Sequence, residues 1–287
     1  MRRATLASPF TLLRTSWKYF WKHRALQTIL VWLFIIPETL QILLSNTDAP
    51  SPFLLTASRE WQLAEFLGIL ASIALSIIVL WGGACVLLIG KRMIQNKAGR
   101  SRTSFRSVRK DALPLIVPLF LTSLLQFCFL FYRSLLYLVP AGFVLFFLAL
   151  GYRAPFLTPQ HLPWILLALT PLLIPSILYY FQTFFSSIVL VSENVRYRKA
   201  LRRSSELVSG KILPLLWRVL VLSLCTLIPS SILSAALQYF LPSLSPIPLI
   251  LGALLRSVIV TSFSVLFVLS TVALFGSLRN LREVPRK

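Results

Sequence analysis

Five charged side chains lie inside long apolar stretches of the sequence: Glu38, Glu65, Arg133, Arg218 and Arg256. An ionisable group in hydrocarbon is costly, so each is a candidate functional residue by default. Arg218 lies close enough to the expected inner surface to snorkel, and Glu65 and Arg133 fall near the expected outer interface. Only Glu38 and Arg256 are expected to lie deep. We therefore predict an intramembrane ionisable pair of these two, against the simpler interpretation of two separately snorkelling residues.

The sequence contains no catalytic or metal-binding motif. Its two histidines, His23 and His161, lie far apart, and no carboxylate neighbours His161, so a metal site is not expected. Ser107-Val108-Arg109-Lys110 matches the Ser-x-x-Lys of some serine acylases but lacks their companion motifs. Phosphate-binding glycine loops, His-Glu-x-x-His and acidic Mg²⁺ clusters are missing, and three cysteines lie in apolar stretches. We predict no enzyme activity, metal or cofactor.

The elements that must position these residues are helices in a membrane. Hydrophobic residues form 57% of the 287 positions and mean hydropathy is +0.80, which is well above soluble domains. A span needs about 20 apolar residues. The sequence predicts an all-α polytopic transmembrane helix bundle, a single membrane domain over 1–287. Its apolar stretches cover 25–44, 63–90, 113–151, 164–191, 212–241 and 247–278.

The basic residues predict topology. Of 29 Lys and Arg, six lie in 1–24, eight in 91–111, six in 192–211 and four in the basic tail 279–287. Such clustering between spans favours the positive-inside rule over nucleic-acid binding, and it predicts a bacterial cytoplasmic membrane with both termini cytosolic. An even number of crossings then separates each pair of clusters. We predict six spans, with seven as the alternative, and whether 134–151 crosses the membrane is left open.

The N-terminal segment 1–24 has the pattern of an interfacial amphipathic helix. Ser8-Pro9 is typical of an N-cap followed by proline at the first helical position. A 3.6-residue period places aromatic and apolar residues on one face and basic residues, which would contact anionic lipid, on another. The first set is Phe10, Leu13, Trp17, Phe20 and Trp21, and the second is Arg14, Lys18 and Lys22.

A similar helix is predicted in the third basic segment. Ser192 is its expected cap, Ala200, Leu201, Ser204 and Val208 its apolar face, and Gly210 its stop. The middle segment, from Phe105 to Lys110, shows the same pattern less clearly. Together they suggest a threefold repeat of a basic helix followed by a hairpin. In the second span, Ala64, Gly68, Ser72 and Ser76 predict close approach of another helix.

The third basic segment also resembles a known signature. Residues 200–210 read Ala-Leu-Arg-Arg-Ser-Ser-Glu-Leu-Val-Ser-Gly, after an apolar run ending in Glu193. This resembles the Ala-Leu-x-x-Ser-x-Glu-Leu-x-x-Gly segment of a bacterial six-helix membrane family, similar to the membrane domain of some glycerophosphodiester phosphodiesterases. Ile174-Pro175-Ser176 resembles the proline break of the preceding span, whereas Ser205 and Lys211 depart from the pattern. The resemblance implies architecture and no activity, because the catalytic barrel of those enzymes is missing.

We therefore expect a non-enzymatic membrane protein that organises anionic lipid, or docks a protein partner, at the cytosolic face. The simpler interpretation is that the basic residues only set topology. The alternative is a transporter or permease component built on breaks at Pro114, Pro118, Pro140, Pro171, Pro175 and Pro229, and a lipid-modifying enzyme ranks third. Lipid or partner contact is predicted for Arg14, Trp17, Lys18, Trp21, Lys22, Arg196, Lys199, Arg202 and Arg203.

Overall fold

A computed structural model describes residues 6–45, 59–95, 104–151, 170–240 and 246–283, and within these ranges it contains helices and no strand. The helices are α1 Pro9–Lys22, α2 Arg24–Leu30, α3 Ile36–Ser45, α4 Arg59–Gln95, α5 Phe105–Ala112, α6 Ile116–Gly151, α7 Ile174–Thr183, α8 Ser186–Glu193, α9 Arg198–Val208, α10 Ile212–Phe240 and α11 Pro246–Glu283. A π-helical turn, Val31–Ile35, joins α2 to α3. The six-span prediction places loops at 45–62 and 241–246 on the outer side of the membrane. These loops and His161 fall largely or wholly outside the described residues.

Six helical segments in the described residues are long and apolar enough to cross a membrane. This confirms the predicted all-α polytopic bundle of about six spans. The segments are Arg24–Leu43, Phe66–Gln95, Phe105–Phe143, Ile174–Glu193, Ile212–Leu237 and Leu249–Leu281.

The long apolar run 113–151 forms one helix. After the short 3₁₀ turn Leu113–Leu115, α6 continues for 36 residues, straight through Pro140. At 1.5 Å per residue this is roughly 54 Å, compared with about 30 Å of hydrocarbon. Residues 134–151 therefore prolong the helix begun at Ile116, and the structure has no re-entrant break there. Pro229 likewise lies inside the continuous helix α10.

The chain divides into two compact units, one of residues 1–117 with 216–287 and the other of residues 118–215. The single-domain interpretation stays a prediction. In the first unit, α1, α3 and α4 all pack against α11. The predicted basic tail begins inside a helix, because α11 runs to Glu283.

Glycine permits the closest helix contacts in the first unit. A Cβ added at Gly90 would lie 2.8 Å from Val272 Cγ1, and one at Gly82 would lie 2.7 Å from the Phe34 ring. A Cβ added at Gly68 would have no described atom within 4 Å, and Ser76 is exposed, so neither position shows a close helix contact among the described residues. Close approach along the whole predicted stripe stays a prediction. The close contacts at Gly90 and Gly82, farther along α4, are with side chains of neighbouring helical segments.

Candidate lipid-contacting helices

All three predicted basic segments form short helices, α1, α5 and α9; α1 and α9 each precede a candidate span, and α5 forms the start of one. In each helix, two of the buried residues lie four positions apart with an exposed basic side chain between them. These positions recur at nearly equal intervals along the chain. The buried pairs are Leu12 with Ser16, Val108 with Ala112 and Ala200 with Ser204, and the exposed bases are Arg14, Lys110 and Arg202.

The helix α1 begins as predicted. The Ser8 hydroxyl accepts a hydrogen bond from the Thr11 amide at 3.3 Å, and Pro9 occupies the first helical position. A side-chain acceptor at the N-cap satisfies an amide that has no partner inside the helix. Ser8 therefore fixes where α1 starts, and with it the register of all its faces.

The surface of α1 divides into three sectors. The first is buried and comprises Leu12, Ser16 and Phe20; the helix as a whole packs against α11. The second exposes the aromatic residues Phe10, Trp17 and Trp21, the last at 58%. Phe20, predicted to face the headgroups, is only 4% exposed and belongs to the core. At 100° per residue it borders both sectors, so periodicity alone could not assign it.

The third sector of α1 is basic. Arg14, Lys18 and Lys22 are exposed, and none forms an ion pair with another described residue. They follow one another by a single helical turn beside the aromatic sector, where the Trp17 and Trp21 rings lie 5.9 Å apart. The helix therefore presents unpaired cations next to an indole pair, the composition of membrane interfaces.

The residues at the end of α1 add no further charge. The His23 ring lies 3.9 Å from that of Tyr19. Burial lowers the pKa of His23, and the positive charge of Lys22 lowers it further. Burial raises the pKa of Tyr19, although the charge of Arg92 opposes this. Both side chains are therefore neutral at pH 7, and the cationic sector ends at Lys22.

The four basic residues predicted around α9 fall into two pairs. Arg202 binds Glu206 at 3.1 Å, and Arg203 binds Glu193 at 3.0 Å. Arg196 and Lys199 are exposed and form no ion pair with any other described residue. Of the four, only these two share the exposed, unpaired state of Arg14, Lys18 and Lys22 within the described residues. They are therefore the ones available to contact an external anion.

The predicted cap of α9 is wrong. Ser192 lies in the last turn of α8, where its hydroxyl is directed to the Val189 carbonyl at 3.5 Å. Asn194 and Tyr197 then adopt left-handed φ angles of 55° and 54°, and α9 begins only at Arg198. The chain therefore turns sharply between α8 and α9. The predicted stop is confirmed, because Gly210 follows α9 with φ +79°.

Helix α9, which carries most of the eleven-residue signature, packs against a candidate span whose helix is interrupted. Its apolar face is buried as predicted, and α9 contacts both α7 and α8. The helical path is interrupted between Thr183 and Ser186. Ser204 bridges this break, because its hydroxyl donates to the Gln182 carbonyl at 2.9 Å and accepts from the Phe185 amide at 3.2 Å. Ser204 thus satisfies backbone groups that a break in a span would leave exposed to hydrocarbon.

Sequence reasoning missed the polar side chains that join α6 to this break. The Gln126 amide donates to the Thr183 hydroxyl at 3.0 Å and accepts from the Ser186 hydroxyl at 3.1 Å. A third bond links Ser134 to Ser176, farther back along α7, at 3.1 Å. Polar residues inside apolar stretches were the available signal, since such side chains commonly bond between spans.

The predicted intramembrane ionisable residues have different surroundings. The helices that carry Glu38 and Arg256 pack together, but the two half-buried side chains form no ion pair within 4.0 Å among the described residues. The Arg133 guanidinium lies 4.4 Å above the Tyr179 ring. Arg218 donates to the backbone carbonyls of Ala7 and Leu6. The pairing of Glu38 with Arg256 stays a prediction.

We expect Arg203→Gln to destabilise the second unit by about 1–3 kcal/mol, because it removes the cation from a carboxylate that is 16% exposed. Glu193 Oε1 is already buried without a hydrogen-bond partner among the described residues. The matched control is Arg202→Gln, whose side chain is 85% exposed and whose exposed helical pair contributes about 0.3–0.5 kcal/mol. Thermal unfolding in detergent measures both. Equal midpoints for the two variants would contradict the assigned role of Arg203.

The described residues contain no group of three or more His, Cys, Asp or Glu side chains that could hold a metal ion. Comparisons with family models, with curated proteins and with solved structures find no match for this chain. The resemblance of residues 200–210 to the six-helix family is left untested by these comparisons.

Proposed function

We propose that this chain is a non-enzymatic multi-pass protein of a bacterial cytoplasmic membrane that organises anionic lipid at the cytosolic face. One observation carries the proposal: α1 is packed against α11, yet it exposes Trp17 and Trp21 beside Arg14, Lys18 and Lys22, which form no ion pair with any described residue. A helix that only set topology would need the charges but not the adjoining aromatic pair.

The order of elements supports a common face for the basic helices. Two candidate spans separate α1 from α5; the span that begins with α5 and the one after it lie before α9. If each crosses once, all three helices lie on one side, and the positive-inside rule makes that side cytosolic. Both termini are then cytosolic. On the same grounds we propose membership of the six-helix family, for its architecture and not for any activity.

The double variant Lys18→Gln/Lys22→Gln tests this function. Each basic side chain near an anionic surface contributes about 1 kcal/mol, so binding of phosphatidylglycerol should weaken by roughly 30-fold. Native mass spectrometry of protein released from nanodiscs that mix phosphatidylglycerol with a zwitterionic lipid measures the retained lipid. The matched control is Lys18→Arg/Lys22→Arg, which keeps both charges and should retain lipid as the unmodified chain does.

Two outcomes would overturn the proposal. Equal phosphatidylglycerol retention in the Gln and Arg double variants would show that these charges do not hold lipid. A protein subunit that stays bound to the unmodified chain and is lost from the Gln variant, with lipid retention unchanged, would assign α1 to a protein partner.

A transporter component is a second candidate, and the break between α7 and α8 favours it. Discontinuous spans build the substrate sites of many transporters, and Gln126, Thr183 and Ser186 meet at this break. Gln126 bonds to both hydroxyls, so a solute would have to replace those two bonds. A small polar solute that is retained by the unmodified chain and lost on Gln126→Leu would support transport over lipid organisation.

A further inference from the structure

The side chain of Arg218 joins the start of α10 to the segment that leads into α1. Its Nε donates to the Ala7 carbonyl at 3.0 Å, and its Nη2 donates to the Leu6 carbonyl at 3.2 Å. Arg218 is half-buried and lies in the candidate span Ile212–Leu237. A guanidinium presents its donors in a rigid fork, which suits two neighbouring carbonyls better than a single ammonium does.

These carbonyls lie directly before the cap of α1. Ser8 follows them, its hydroxyl accepting from the Thr11 amide and its carbonyl from the Leu12 amide at 3.1 Å. Leu6 and Ala7 precede the helix, so their carbonyls lie outside its ladder of hydrogen bonds. The fork supplies donors to them, and in turn the carbonyls supply acceptors to an arginine inside an apolar helix.

Arg218 therefore adds an attachment at the leading end of α1. The apolar contact of the buried sector holds the middle of the helix, and at the trailing end the Gln27 side-chain amide donates to the Trp21 carbonyl at 3.3 Å. A single packed stripe lets a helix rock about that stripe, whereas an added attachment at one end fixes its rotation. Rotation decides whether the indoles and bases of α1 face outward.

We infer that Arg218 is a positioning residue for the lipid-contacting face of α1, which it orients through the backbone carbonyls of Leu6 and Ala7. The effect of this positioning on lipid retention rests on the proposed function. The attachment of Arg218 to α1 can be measured separately, without a lipid-binding assay. Arg218 then acts on lipid only through α1.

Hydrogen–deuterium exchange of the full chain in phosphatidylglycerol nanodiscs tests the inference. Arg218→Met removes two charge-assisted hydrogen bonds, so exchange across residues 6–22 should rise about tenfold or more, with peptides of α9 unchanged. Arg218→Lys keeps the charge without the fork and should give an intermediate value. The matched control is Arg133→Met, which removes another arginine from a candidate span and should leave residues 6–22 as they are.

Each outcome decides the question. Equal exchange in Arg218→Met and Arg133→Met, or complete rescue by Arg218→Lys, overturns the fork as the positioning device. If Arg218→Met does not fold, deletion of residues 2–7 removes both acceptors and keeps the arginine; undiminished protection of α1 would then overturn the inference. If the Lys18→Gln/Lys22→Gln variant keeps its lipid while Arg218→Met loosens α1, the proposed function fails and the positioning role stands.

Discussion

Replacing Ser204 by alanine should lower the stability of the second unit more than any other single change considered for this chain. The hydroxyl is fully buried and makes two backbone hydrogen bonds across the break between α7 and α8. Alanine removes both bonds at a fully buried position. Each affected buried group costs about 1–3 kcal/mol, and the midpoint of thermal unfolding in detergent should fall accordingly.

The neighbouring Ser205 provides the matched control for Ser204. It is half-buried and makes no side-chain hydrogen bond among the described residues, so Ser205→Ala should change the midpoint little. If the two alanine variants have the same midpoint of thermal unfolding, Ser204 does not stabilise the interrupted span. The double variant Ser204→Ala/Ser205→Ala should have the same midpoint as Ser204→Ala alone. This comparison tests whether the loss of stability comes from the Ser204 hydroxyl only.

Replacing Gly90 by alanine should strongly destabilise the first unit. The new methyl group would lie 2.8 Å from Val272 Cγ1 and 3.1 Å from Cγ2. Val272 is fully buried, and its branched side chain has one strongly preferred rotamer in a helix. Because neither side can give way cheaply, we expect about 1–3 kcal/mol of destabilisation, at the upper end of that range.

Two further variants make the Gly90 prediction specific. Gly83→Ala adds the same methyl group to the same helix where no described atom lies within 4 Å, so it should be neutral or slightly stabilising, since alanine favours helix over glycine. Val272→Ala removes the clashing carbons and should recover part of the loss when combined with Gly90→Ala. Absence of coupling in this double-mutant cycle would show that α4 and α11 do not meet at these residues.

The elements that depend on local chemistry could be predicted from the sequence. Apolar length identifies the spans, Ser8-Pro9 identifies the start of α1, and Gly210 the end of α9, because each signal acts within a few residues. The alternation of apolar and basic positions likewise identified the buried face of α9 and the exposed bases of α1.

The features that depend on distant contacts could not be predicted. No proline or glycine marks the break at Phe184 and Phe185, which is bridged by a hydroxyl from another helix. The partner of Arg203 lies ten positions away, across a turn that contains two left-handed residues. Ser192 has a suitable residue type for a cap, but α8 extends past it. In each case tertiary packing decides between locally acceptable alternatives.

The bridging role of Ser204 sets an order for biosynthesis. The chain grows from its N-terminus, so the backbone at Gln182 and Phe185 is made before the hydroxyl that satisfies it. The fourth candidate span therefore completes its hydrogen bonding only after α9 has emerged and folded back. Residues 174–208, the complete helices α7 to α9, contain both the break and the hydroxyl that bridges it. A truncated or split version of this protein should leave that stretch whole.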